Sequence, residues 1–108
     1  MAWSRTAYRL VHQEIVDGTA TLVIAGELDL TIVPALAQHL EQVLARQPRR
    51  LVLDLAQVTF VDVAAARLLS QATQPRPAAG RPVLRQAGPE ARRILTLTGL
   101  DALCEFDD

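Results

Sequence analysis

The chain contains no lysine; all eleven of its basic residues are arginine. A lysine base or Schiff-base former is therefore excluded. Cysteine is nearly absent too. Cys104 stands alone, so no internal disulfide can form, and its thiol reads as a small apolar filler near the C-terminus. Aromatics are limited to Trp3, Tyr8, Phe60 and Phe106, so the core must be aliphatic. No apolar run approaches the roughly 18 residues that a membrane-spanning helix needs. The opening MAWSRTAYRL has no signal-peptide block. A cytoplasmic protein is expected. Net charge is also scarce, formally -1, which gives no electrostatic reason to expect nucleic-acid binding.

What is present is 108 residues, half of them apolar. That is one domain, able to bury roughly 65% of its unfolded surface and to fold alone. Residues 1–6 read as a disordered lead. Residues 8–15 read as a strand, and Asp17-Gly18 as a hairpin turn, since both residues tolerate positive φ. The returning strand TATLVIA is so apolar that both of its faces are expected to be covered. Thr31 is the expected cap of a first helix with Pro34 in its opening turn. Val33, Leu36, Leu40, Val43 and Leu44 recur there at helical spacing.

The chain is organised around residues 51–69, LVLDLAQVTFVDVAAARLL. A short strand is expected to stop at Asp54. A second apolar patch, residues 58–61, leads into Asp62 and an alanine-rich helix expected over residues 63–74. Asp62 is a good helix cap, because its carboxylate accepts from a free backbone N–H of the first turn. Asp62, Val63, Ala64 and Ala65 then form a small surface at the helix start. PRPAAG at residues 75–80 ends that helix, and a short strand follows over residues 82–86. Pro89 opens a third helix, with Ala91, Ile94, Leu95 and Leu97 as its expected apolar face and Gly99 as its C-cap. Leu100, Leu103 and Phe106 are expected to pack back onto the sheet. The strand–helix–strand spacing implies a right-handed parallel crossover. The fold class is thus α/β, with an N-terminal hairpin, then parallel strands, about four in all, flanked by three helices.

In this order and spacing the chain resembles the STAS domain family of bacterial anti-sigma factor antagonists, over about residues 8–106. GELDL at residues 26–30, LVLDLAQVTFVD at residues 51–62 and ILTLTGLDALCEF at residues 94–106 carry the likeness. The resemblance implies protein binding rather than catalysis. The implied partner is an anti-sigma factor, usually a kinase-like ATPase, whose capture frees a sigma factor. It also implies phosphorylation of a Ser within the pattern Asp-Ser-Ser-Gly-Leu at the start of the second helix. Here that pattern reads Asp62-Val63-Ala64-Ala65-Ala66. The phosphorylated Ser falls on Ala64, and neither Ala64 nor Val63 has a hydroxyl. Expected partner-binding residues are Asp62, Val63, Ala64 and Ala65, with Glu27, Asp29, Thr59 and Arg67 around them. Thr59 keeps a hydroxyl nearby but is a poor substitute phosphosite.

Three rivals remain at this level. A STAS module could instead regulate a transporter or a signalling scaffold. Glu27, Asp29, Asp54 and Asp62 could converge on a divalent cation in an enzyme. A phospho-receiver with Asp54 as acceptor would need a late lysine, which the chain lacks. His12 and His39 have no nearby ligand set, so no metal and no cofactor are expected.

Overall fold

A computed structural model of the chain describes residues 7–107. The expected disordered lead, residues 1–6, lies outside that range. Five strands form one mixed sheet in the order β1 (Arg9–Val16), β2 (Thr19–Leu28), β3 (Arg50–Val61), β4 (Val83–Arg85) and β5 (Glu105–Asp107). The first pair is antiparallel and every later pair is parallel. Four α-helices connect them: α1 (Val33–Leu44), α2 (Val63–Ala72), α3 (Pro89–Leu97) and α4 (Leu100–Leu103). A 3-10 turn, Leu30–Ile32, precedes α1.

The β1–β2 hairpin closes over Asp17 and Gly18, at φ 52° and 81°, directly between the paired Val16 and Thr19. Positive φ at both central residues matches the turn to the right-handed twist of the strands. On α1 Leu36, Leu40 and Val43 of the expected stripe are buried, and Val33 and Leu44 at its ends are half-buried. The three buried residues meet Leu22, Ile24, Leu51, Leu53 and Leu84 from the sheet and Leu69 from α2 in one aliphatic core.

Several expectations are corrected. The sheet has a fifth strand, because the chain after α4 pairs Phe106 with Leu84 instead of merely packing over it. Among the described residues there are four α-helices rather than three. β3 does not stop at Asp54. It runs on to Val61 alongside β2 and absorbs two register shifts on the way. β2 is covered fully on one face and only partly on the other: Ala20, Leu22 and Ile24 are buried, while on the other side Thr19, Thr21 and Val23 are half-buried and only Ala25 is buried. Thr31 does not cap α1; Asp29 caps the 3-10 turn ahead of it. Leu97 is 72% exposed, since it sits on the outer side of α3 from Ala91 and Leu95.

Two features fix the end of β2. Gly26 has φ +92°, and a β-carbon there would lie 2.1 Å from the Ala7 carbonyl oxygen. Only glycine tolerates both the left-handed backbone and that approach. Gly26→Ala should lower stability by about 2 kcal/mol or more, read as a reduced urea midpoint at unchanged slope. Next to it, the Tyr8 hydroxyl is hydrogen-bonded to His39 Nδ1 at 2.6 Å. Burial pushes the Tyr8 phenol up to about 12 from its ordinary 10.0. The folded protein keeps a proton that the unfolded chain sheds, so this stability is complete below about pH 10 and is lost as pH rises toward 12. Tyr8 is the chain's one tyrosine. Tyrosinate absorbance should therefore titrate near 12 in the folded protein and near 10 in denaturant.

Candidate functional site

The site is built where β2 and β3 end and α2 begins. Asp62 leaves β3 in an extended conformation, φ -99° and ψ 175°, and caps α2. Its Oδ1 accepts from the Ala65 N–H at 2.9 Å. Its Oδ2 accepts from the Leu30 N–H, also at 2.9 Å. Its own N–H donates to the Leu28 carbonyl and its carbonyl accepts from the Ala66 N–H. One residue thus caps a helix and ties it to the segment leaving β2. The cap was readable from sequence; the bond to Leu30 was not.

Asp29 works in the same way on its own segment. Its Oδ1 accepts from the Thr31 N–H at 2.9 Å and its carbonyl accepts from the Ile32 N–H. Leu28 is fully buried by this arrangement, while Leu30 is turned outward and is 67% exposed. Phe60 and Val63, on either side of Asp62, are each 46% exposed. These three account for half of the exposed large apolar side chains among the described residues. All lie within one hydrogen bond or two residues of Asp62. Apolar clustering of that kind marks a contact surface more often than scattered exposure does.

The expected site residues divide by depth. Val63 and Arg67 are exposed on the outer side of α2, Ala64 is half-buried beside them, and Thr59 is exposed on β3. Glu27 and Asp29 are half-buried at the end of β2. Ala65 has no exposed surface. It faces the core with Ala66 and Leu69, so it is a floor beneath the surface and not a contact on it. Leu30 and Phe60 were not singled out from the sequence. Phe60 could have been, as one of only four aromatics. The exposure of Leu30 follows from a turn that no local pattern announces.

Beside this surface lies an open cleft of about 810 Å³. One bank is residues 58–63, and the other is the start of α3 with Pro89, Glu90, Arg93 and Ile94.

The carboxylate cluster does not form. Asp54 pairs with Val23 while Val61 pairs with Leu28, so Asp54 sits far down the sheet from Asp62. Its Oδ1 accepts from the Ala56 N–H at 3.0 Å, which suits the local register shift. Among the described residues no group of three or more His, Cys, Asp or Glu is placed to hold a metal ion. The receiver reading fails on topology, since such sheets run 2-1-3-4-5 and this one runs in chain order. No helix among the described residues is long and apolar enough to cross a membrane.

A family model described as "Mlab, STAS domain" matches residues 11–105. The chain belongs to the STAS domain family. It is 32% identical over 85 residues to the anti-sigma-F factor antagonist RsfB of Mycobacterium tuberculosis, covering 79% of this chain and 70% of that protein. Its fold superposes on the crystal structure of an anti-sigma factor antagonist from Mycobacterium paratuberculosis with a TM-score of 0.78 and 30% identity. That match covers 94% of this chain and 86% of the other. The unphosphorylated form of the anti-sigma factor antagonist SpoIIAA matches with a TM-score of 0.71 at 20% identity, over 94% and 89% of the two chains. In this STAS domain the start of α2 is therefore held by an aspartate whose two oxygens are both engaged.

That engagement is testable. Asp62→Ala removes both acceptors and should cost about 2 kcal/mol. Asp62→Asn can still cap α2 but offers an amide to the Leu30 N–H, so it should fall between alanine and wild type. Denaturant midpoints of the three proteins decide the order.

Proposed function

We propose that this protein is an anti-sigma factor antagonist. It binds an anti-sigma factor of the kinase-like ATPase type in the cytoplasm and so frees a sigma factor. The contact is the apolar face of Leu30, Phe60, Val63 and Ala64, with Glu27, Asp29, Thr59 and Arg67 at its margin. The observation that carries this reading is the gathering of exposed apolar side chains around the capped start of α2. The names of the mycobacterial relatives support it.

We further infer that the usual phosphorylation switch is missing. SpoIIAA is known in a phosphorylated form. In the family pattern the acceptor is a serine hydroxyl at the position of Ala64. A phosphoserine adds roughly −1.5 to −2 charges. Set into a desolvated contact beside Asp62, that charge can oppose binding by several kcal/mol. Alanine has no oxygen to phosphorylate, so the face stays neutral, and binding is constitutive or controlled elsewhere.

Two measurements test this reading. Ala64→Glu should weaken binding to a purified anti-sigma factor of this class by about a hundredfold or more, roughly 3 kcal/mol; unchanged affinity would remove this face as the contact. After incubation with that factor and ATP, intact mass and peptide mapping should find no phosphate on residues 62–66.

A further inference from the structure

β3 outruns the strand beside it. It pairs with β2 as far as Val61 but with β4 only at Val52, Leu53 and Asp54. Beyond Asp54, over residues 55–61, its β4-side edge has no strand partner among the described residues. The Ala56 N–H at its start is taken by Asp54, and residues 58–61 of that edge line the cleft faced by α3. An unpaired strand edge is a row of backbone donors and acceptors, a template for another strand.

The sheet ends at β1 and at the three-residue β5, and the overhang of β3 adds a further unpaired stretch that is treated differently from β1. β1, the outer edge, carries Arg9, His12 and Glu14, and its register shifts at Val11. Charge and a bulge are the usual guards against unwanted pairing. The overhang of β3 reads Leu55-Ala56-Gln57-Val58-Thr59-Phe60-Val61, with no charge and no proline. Its two register shifts are against β2, the strand it already pairs with. The overhang also runs straight into the contact face: Phe60 belongs to both, and Asp62 and Val63 follow it along the same cleft. Across the cleft, Glu90 and Arg93 sit one helical turn apart on the bank formed by α3, beside Ile94.

We propose that the overhanging edge of β3 receives an extended segment of the protein partner, which adds to the sheet as a strand inside the cleft. The segment is apolar, and it carries a basic side chain toward Glu90 and an acidic one toward Arg93. Main-chain bonds to β3 supply affinity, and the two charges on α3 set direction and choice. This deepens the reading of the contact face and rests on it for the partner's identity, but not for the test.

The probe is a displayed library of linear peptides selected on the full chain, with the tightest peptide titrated into isotope-labelled protein. Amides within residues 55–61 should exchange about tenfold or more slowly when it is bound. Cross-strand proton contacts should appear between the peptide and β3. Arg93→Glu should shift selection away from acidic peptides, with about tenfold weaker binding of the original one. Failure to enrich any peptide, or a bound peptide that leaves exchange at residues 55–61 unchanged, overturns the strand addition. Either result leaves the Ala64→Glu test of the contact face untouched, so the two readings fail separately.

Discussion

One carboxylate holds this site together. Asp62 takes the Ala65 N–H on one oxygen and the Leu30 N–H on the other, joining backbone segments 32 residues apart. The half-buried Ala65 N–H needs an acceptor, and the same side chain also takes the exposed Leu30 N–H. The consequence is chemical as well as structural. Because both oxygens are engaged, Asp62 organises the surface rather than presenting itself as a free acid. What stays exposed around it is an apolar rim: Leu30, Phe60 and Val63.

Much of the fold was legible because the signals were local. Asp17-Gly18 encodes its own turn through positive φ, and the α1 stripe follows helical period. Asp62 is a capping residue type directly ahead of a helix-forming run. The misreadings came where tertiary context decides. Ala56 and Gln57 interrupt the apolar pattern of β3, yet the strand continues because bulges against β2 absorb the irregularity. β5 is three residues long and exists only because β4 offers an edge. Val23 is apolar but half-buried, since no local pattern tells a strand which face the helices will cover. Within α2, Ala64 and Ala65 are the same residue type one position apart. The rotation of the helix alone leaves one half-buried and puts the other in the core.

The scaffold is intact: hairpin, parallel extension, capped α2, and a C-terminal helix returning as an edge strand. At the tip, Val63 and Ala64 carry no hydroxyl. A small apolar tip still suits close approach by another protein. An overhanging strand edge beside it offers a second means of recognition, through main chain rather than side chain.

The most direct measurement is an NMR cross-saturation map of this protein bound to an anti-sigma factor of the ATPase type. The account predicts saturation transfer concentrated at Leu30, Phe60, Val63 and Ala64. Transfer confined to the open sheet face around Thr21 and Val23, with those four residues unaffected, would contradict it.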